Sequence, residues 1–355
     1  MQLNRVLVGI DFSAPSLATV HWAAEYFAPR AELVLIHVIP EPRSPSYLAR
    51  LRSAAHSDIA APERSSALLG GLMALATSVA GPRATADVRI GEPAAQLSRA
   101  AKELGADVIV TGRAGQRAAA GAGRRLGTTA DRLVRQASVP VLVTAREPGA
   151  TPRTVFAAVD DGDISDGVLD WSVYLARKLD ARLTALHVVD RGDHVARPGV
   201  ALHSDMAAHH TIDDESEQSV RKERAAAREH AVRDAAEAWL RARVREAGYN
   251  PSLADIAIAV GDPRHELLAA AGCLDAGLIV IGRQGADGSE RTGIGSLTRA
   301  ALRPSARPVL VIPPREPAPI LGGPFRGRRS RVLRLPDRGA ARISLVDSPA
   351  SPPAA

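Results

Sequence analysis

The chain contains two copies of one pattern of apolar runs. The run RVLVGID at 5–11 returns as TVFAAVD at 154–160, and LVLIHV at 33–38 returns as LTALHV at 183–188. Three further pairs of segments match in the same order, namely 88–93 with 258–263, 107–113 with 277–283, and 139–143 with 307–311. Because order and type agree throughout, we interpret the chain as a tandem duplication and expect two domains.

Each copy alternates strands with helices, which predicts a parallel sheet with helices on both faces. In the first copy, strands are predicted near 5–10, 33–38, 84–90, 107–111 and 140–143, and helices near 14–28, 62–79, 93–104 and 128–137. The fold class is α/β, with two Rossmann-like domains of five parallel strands each. Right-handed crossovers allow few strand orders. The order 3-2-1-4-5 makes the strands that end at Asp11 and Gly112 neighbours, and ligands bind such sheets where the winding reverses.

Composition separates a folded body from a basic tail. The predicted domains are 1–147 and 148–314, the second with an insert at about 190–235. The Arg- and Pro-rich tail 315–355 is not expected to pack, although its segment 331–335 could still dock. The tail holds eight arginines against three acids, which accounts for +5 of the net charge of +6. The folded body therefore lacks the basic surface that nucleic-acid binding requires, and no nucleic-acid partner is expected.

The cysteine, the apolar runs and the histidines indicate where the protein is located and whether it binds a metal. Cys273 is the one cysteine, so no intramolecular disulfide forms, and we expect a small buried side chain there. The N-terminus leads directly into a strand, and no apolar run reaches the length that spans a bilayer. A cytoplasmic protein without membrane contact is expected. The histidines of the insert lack regular ligand spacing, which favours a solvated loop over a metal site: His194, His203, His209 and His210.

A glycine-punctuated loop follows the fourth strand of the second copy. Its spacing is Gly282-x2-Gly285-x9-Gly295-Ser296, and a helical pattern with Thr298 comes next. Glycines let the backbone approach a ligand closely, and a helix N-terminus favours anions. This layout is typical of a phosphate cradle. It matches neither the P-loop nor the dinucleotide fingerprint, so the cofactors of those motifs do not transfer.

The glycine spacing resembles that of universal stress proteins of the ATP-binding type. The strand-end Asp160, the Leu-His-Val run at 186–188 and the closing Pro-Val-Leu-Val at 308–311 resemble the same family. The resemblance covers roughly 3–145 and 152–313. It implies flavodoxin-like domains that pair through their fifth strands as an intramolecular dimer, with a homodimer and an unidentified protein partner as further expectations.

The resemblance also implies a nucleotide site in each copy, with ATP across the ends of strands 1 and 4, with or without Mg²⁺. In the second copy the implied contacts are Asp160 and Val188 for adenine, Ile281, Gly282 and Gly285 for the ribose and first phosphate, and Gly295, Ser296 and Thr298 for the outer phosphates. In the first copy they are Asp11, Val38, Thr111, Gly112, Gly115, Gly127 and Thr128.

Each copy departs from the family pattern. The first has eleven residues between its second and third loop glycines, including Gly121, Gly123, Arg124 and Arg125, and it has Ala130 where the second has a threonine. The second replaces the usual Asp-x-Ser by Asp-Asp-Gly-Asp at 160–163. These carboxylates repel a polyanion unless they point away or a metal lies between them. The second copy is favoured slightly as the ATP site.

Several of these residues have simpler interpretations. The strand-end aspartates could cap the following helices, and Ser13 is a predicted N-cap. His37 and His187 end buried strands, which favours a structural role over that of a base. Arg113 and Arg283 follow the first loop glycine, where phosphate contact and solvent exposure are both open.

Three functions remain open. The first is an ATP-binding regulatory module of the stress response that turns ATP over slowly or not at all. The second is an interaction scaffold without nucleotide. The third is a weak Mg²⁺-dependent ATPase that uses the carboxylates of 160–163. The sequence shows no nucleophile beside a base and no GxSxG elbow, so a role without catalysis is expected.

Overall fold

The computed structural model describes most of both copies. The described residues are 3–27, 31–40, 61–115, 126–145, 151–190, 214–285, 293–302, 307–314, 332–334 and 344–346. The loop segments 116–125 and 286–292 and the His-rich segment 191–213 lie outside them, so the predictions made there have no structural counterpart below.

The elements follow the predicted alternation. The strands are β1 Arg5–Ile10, β2 Glu32–Ile39, β3 Ala84–Ile90, β4 Val108–Thr111, β5 Val141–Val143, β6 Thr154–Ala158, β7 Arg182–Val189, β8 Asp255–Val260, β9 Leu278–Gly282, β10 Val309–Ile312, β11 Val332–Arg334 and β12 Ser344–Val346. The helices are α1 Ala14–Phe27, α2 Ala61–Ala80, α3 Pro93–Leu104, α4 Thr128–Gln136, α5 Ser165–Lys178, α6 Asp214–Glu246, α7 Pro263–Cys273 and α8 Ser296–Leu302.

All the strands in the described residues belong to one sheet with the order β12-β11-β8-β7-β6-β9-β10-β5-β4-β1-β2-β3. Within each copy neighbouring strands are parallel, which confirms the predicted α/β class. The order 3-2-1-4-5 appears in the first copy and, as β8-β7-β6-β9-β10, in the second. The strand runs are rich in Val, Ile and Leu because both faces of a parallel sheet are covered by helices.

The two copies join through β5 and β10, which pair antiparallel with Leu142 opposite Leu310 at the centre. One apolar core on each face of the sheet continues across this junction and contains residues of both copies. A polar contact also crosses it, because the Leu3 N–H donates to the Tyr174 hydroxyl at 3.3 Å. Since the cores are shared and densely packed, the copies form one body.

Two expectations differ from the structure. Part of the basic tail pairs with the sheet: β11 lies parallel to β8, with Val332 opposite Ile256, and β12 pairs antiparallel to β11. Cys273 is exposed, so its predicted burial is wrong. It is the last residue of α7, whose buried residues are Leu267, Ala270 and Ala271, so burial ends before the C-terminus of the helix. No helix in the described part of the chain is both long and apolar enough to cross a membrane.

Candidate functional site

The candidate site lies where the first and fourth strands of each copy end side by side. In the first copy Gly9 of β1 is opposite Thr111 of β4, and in the second Ala158 of β6 is opposite Ile281 of β9. The winding of the sheet reverses between these strands, and their carboxyl ends form the crevice where ligands bind such folds. The aspartates and the loop glycines predicted from sequence come directly after these strands.

In the first copy the loop after β1 fixes the carboxylate of Asp11. Its Oδ1 accepts from the Ser13 N–H at 3.1 Å and from the Ser13 hydroxyl at 2.6 Å, while the Asp11 N–H donates to Ser16 Oγ at 3.3 Å. The Ser16 N–H in turn donates to Ser13 Oγ at 3.3 Å, which confirms Ser13 as the N-cap of α1. Asp11 therefore orders the loop before the helix, and the cap itself is the serine.

The second copy builds the same anchor from different residues. The Oδ1 of Asp160 accepts from the Gly162 N–H at 3.0 Å and from the Ser165 hydroxyl at 2.6 Å. The Asp160 N–H donates to Ser165 Oγ at 3.0 Å. In both copies one carboxylate oxygen is thus held by donors from the loop or from the start of the following helix, which fixes where the other oxygen points.

That other oxygen faces the second loop glycine. A Cβ added at Gly115 would overlap Asp11 Oδ2, and one added at Gly285 would lie 3.3 Å from Asp160 Oδ2. At Gly115 any side chain would displace the carboxylate, whereas at Gly285 a Cβ would shift it only slightly. The structure therefore brings together two predicted site residues of each copy that are far apart in sequence.

The third loop glycine closes each loop at its far end. The Gly127 N–H donates to the Arg113 carbonyl at 2.8 Å, and the Gly295 N–H donates to the Arg283 carbonyl at 2.8 Å. These two N–H groups are therefore used within the protein. The next residue at each helix start, Thr128 in the first copy and Ser296 in the second, is exposed and presents its hydroxyl to solvent.

Thr298 supports the loop from inside. It is 2% exposed, and its hydroxyl donates to the Gly282 carbonyl at 2.5 Å. The expectation that this hydroxyl contacts an outer phosphate does not fit that geometry. Ala130, its counterpart, is equally buried. The hydroxyl that the first copy lacks is therefore an internal one.

The remaining predicted residues line the crevice through their backbones. The side chains of Val38, Thr111 and Ile281 are buried, and Val188 is half-buried. The Thr111 hydroxyl makes a long 3.4 Å bond to the carbonyl of Gly112. Since these side chains point into the sheet's cores, only their peptide groups at the strand ends can meet a ligand.

The strand-end histidines are structural, as the simpler interpretation has it. His37 Nδ1 lies 2.8 Å from the Ile10 carbonyl, and His187 Nδ1 lies 2.9 Å from the Val159 carbonyl. Because a carbonyl only accepts, Nδ1 donates in both. Each imidazole also packs on an aromatic ring. The first packs on Phe12 at 5.0 Å between ring centres, and the second on Trp239 at 4.8 Å.

The loop arginines take neither of the two roles left open by sequence. Arg113 is 6% exposed, and its guanidinium donates to the Leu302 carbonyl of the other copy. Arg283 donates to the carbonyls of Arg135 at 3.2 Å and Ala137 at 2.9 Å. Burial lowers the pKa of both arginines from its ordinary value. Both side chains bind helix ends across the junction.

The carboxylates at 160–163 do not converge. Asp161 and Asp163 are exposed, and among the described residues no group of three or more His, Cys, Asp or Glu side chains is placed to hold a metal. A groove of about 430 Å³ elsewhere in the second copy is lined by Arg264, His265, Leu268 and Ala300 and contains none of the predicted site residues.

This geometry can be set beside known families. A sequence model of the universal stress protein family matches residues 2–145 and again residues 152–313. The chain belongs to the universal stress protein family. Two matches in one chain agree with the duplication inferred from the sequence and with the two matching halves of the sheet.

Individual relatives agree with this assignment. The universal stress protein YxiE of Bacillus subtilis (strain 168) is 30% identical to this universal stress protein over 163 residues, which is 44% of this chain and 97% of that protein. The crystal structure of a universal stress protein from Archaeoglobus fulgidus DSM 4304 superposes with a TM-score of 0.57 at 19% identity, covering 88% of this chain and 99% of that one. At that identity the second likeness supports the fold alone.

Sequence reasoning missed the serines that hold the aspartates of this universal stress protein. Ser16 and Ser165 accept from the aspartate N–H groups in equivalent places. They stand 149 residues apart, the same offset that separates Asp11 and Asp160. That shared offset was the available signal. The crossing arginines had no such signal, because their targets depend on how the copies pack.

Proposed function

We propose that this protein binds ATP in each copy and acts as a nucleotide-binding regulatory protein of the stress response, without rapid turnover. The observation that carries the proposal is the close approach of the strand-end carboxylate to the loop glycine, Asp11 to Gly115 and Asp160 to Gly285. It recurs in both copies at the reversal point of the sheet. Membership of the universal stress protein family supports the same reading.

The residues present suit a nucleotide. The held carboxylate of Asp11 or Asp160 offers Oδ2 as an acceptor for the amino or hydroxyl groups of a nucleoside. The loop segments Gly112–Gly115 and Gly282–Gly285 each begin and end with glycine, and the arginine after each first glycine points across the junction. The exposed residues Thr128 and Ser296 add hydroxyl donors for phosphate oxygens. ATP would supply the charged phosphates, and the chain would bind and orient them.

Calorimetric titration tests the proposal. The full chain is titrated with ATP, ADP and AMP, alongside Gly115→Val, Gly285→Val and the double variant. A valine at either position drives a branched side chain against Asp11 Oδ2 or Asp160 Oδ2. We expect two sites per chain in the parent, one in each single variant and none in the double variant.

Matched controls are available within the same chain. A Cβ at Gly70 in α2 or at Gly272 in α7 meets nothing within 4 Å. Gly70→Val and Gly272→Val should therefore bind as the parent does. Unchanged binding in the double loop variant would refute the assigned sites. A parent that gives no heat with any adenine nucleotide would favour the nucleotide-free scaffold instead.

A further inference from the structure

Two arginines tie the copies together in a reciprocal way. Arg113, in the loop after β4 of the first copy, donates to the Leu302 carbonyl at the end of α8. Arg283, in the loop after β9 of the second copy, donates to the carbonyls of Arg135 and Ala137 at the end of α4. Each loop therefore holds the last helix of the opposite copy by its C-terminus.

The backbones of the same arginines hold the starts of those helices. The Arg113 carbonyl accepts from Gly127 at the start of α4, and the Arg283 carbonyl accepts from Gly295 at the start of α8. The start of each helix is thus hydrogen-bonded to the arginine backbone of its own copy, and its end is hydrogen-bonded to the arginine side chain of the other copy. Both helices follow the glycine loops. The two arginines and the two helices are therefore linked by a reciprocal set of hydrogen bonds across the junction.

The hydrogen bonds from these arginines to the helix C-termini are expected to be strong. The C-terminus of a helix carries partial negative charge and free carbonyls, which a guanidinium can neutralise and bind with several donors. Arg113 is buried, and Arg283 is about half-buried. Removing a buried donor leaves a carbonyl unsatisfied, which costs more than the net value of the bond. A shift of one loop therefore has to move the opposite helix or break these bonds.

We propose that Arg113 is a positioning residue for the nucleotide loop of the second copy and Arg283 for that of the first, so that the occupancy of one site changes the affinity of the other. The ligand half of this inference rests on the proposed function. The positioning half concerns only the two helices and can be measured without nucleotide.

Hydrogen exchange of the full chain tests the positioning half. Arg113→Met should speed amide exchange across Gly295–Leu302 of the second copy by about tenfold, because α8 loses its C-terminal partner. Arg283→Met should do the same to α4. Arg113→Lys keeps a charged donor and should restore most of the protection, and it carries the test if the methionine variant does not fold. The matched control is Arg132→Met, an exposed arginine on α4.

Nucleotide titration tests the ligand half. In the Gly115→Val background only the second site remains, and adding Arg113→Met should weaken ATP binding there about tenfold, the size of a typical coupling between sites. A purely local arginine would leave that site unchanged. Exchange that rises only in the mutated arginine's own loop would overturn the inference even if ATP binds. Exchange that crosses to the other copy in a chain that binds no nucleotide would refute the proposed function and keep the positioning role.

Discussion

The two copies hold the aspartate after their first strand, at the strand tip, in the same way but with different side chains. In the first, Ser13 supplies both the N–H and the hydroxyl that hold Asp11. In the second, Gly162 supplies the N–H, and the hydroxyl comes from Ser165 in the following helix. The difference shows that the position of the carboxylate is what the fold maintains. The loss of the family's Asp-x-Ser pattern in the second copy therefore does not remove the anchor.

The aromatic rings that pack on the strand-end histidines differ more between the copies. The ring that packs on His37 is Phe12, the residue after the aspartate, and its φ of 60° is unusual for an aromatic residue. The ring that packs on His187 is Trp239, which comes from α6. The first copy thus supports its histidine locally with a strained backbone, and the second uses a longer helix.

The outer edges also differ. Among the described residues, the exposed large hydrophobic side chains all lie on α2 or β3 of the first copy: Leu69, Met73 and Ile90. The corresponding edge strand of the second copy, β8, is buried along its whole length and pairs with β11 of the tail. The four predictions below test how far the copies behave alike, from the largest expected effect to the smallest.

The largest effect is expected at an equivalent pair of tryptophans in the core. Trp22 in α1 is 3% exposed, and Trp171 in α5 is 2% exposed. Replacing either by alanine should lower the free energy of unfolding by about 3–5 kcal/mol. Because the core is continuous across the junction, urea unfolding should remain a single transition in both variants. Two transitions, with only the mutated copy shifted, would show that the copies unfold independently.

Alkaline pH should act on the second copy. Burial raises the pKa of Tyr174 and of Tyr249 to about 12. The folded state then keeps a proton that the unfolded state loses near pH 10, so stability falls as pH rises from about 10 to 12, by at most about 3 kcal/mol per tyrosine. Unfolding of the parent and of Tyr174→Phe at pH 8 and pH 11 measures this. An equal loss in the parent and the variant would contradict it.

The anchors should be equivalent in strength. Asp11→Ala and Asp160→Ala each remove an acceptor of two hydrogen bonds and should each cost about 2 kcal/mol, with loss of ATP binding in that copy. Asp163→Ala, an exposed neighbour, should lie within about 0.5 kcal/mol of the parent. Thermal unfolding and titration measure both. A loss of stability in Asp11→Ala but not in Asp160→Ala would mean that the hydrogen bonds to Asp160 do not stabilise the second copy.

The smallest effect concerns the turn after the third helix of each copy. Gly105 follows α3 with φ 62°, and Asp275 occupies the matching place after α7 with φ 46°. The left-handed region suits glycine, so Asp275→Gly should stabilise and Gly105→Asp should destabilise, each by up to about 1 kcal/mol. Denaturant midpoints check the opposite signs. Changes of the same sign would show that the two turns are not equivalent.

Much of the fold could be predicted from sequence because its signals are local. The β-branched runs place β1 at 5–10 and β3 at 84–90 with the observed bounds, and internal repetition gives the duplication. The exposed Cys273 was mispredicted because the face of a helix end depends on packing. The segment 331–335 was identifiable as one that could dock, but its pairing with β8 joins segments about 75 residues apart, and no local pattern indicates that target.

The candidate site likewise contains residues that the sequence could identify and residues that it could not. The glycines and aspartates were identifiable because their spacing is a sequence property. The internal role of Thr298 and the crossing of Arg113 to Leu302 were not, since each depends on which carbonyl the folded chain places within reach. Residues whose partners belong to the other copy are the ones that sequence reasoning assigned least well.

Hydrogen exchange of the full chain with and without ATP tests the central claim most directly. The account predicts slower exchange on adding ATP at Asp11–Ser13 with Thr111–Gly115 and at Asp160–Gly162 with Ile281–Gly285, and no change at Arg264–Leu268 beside the separate groove. Saturating ATP that leaves all four tip and loop segments unchanged, or that protects only the groove, would contradict it.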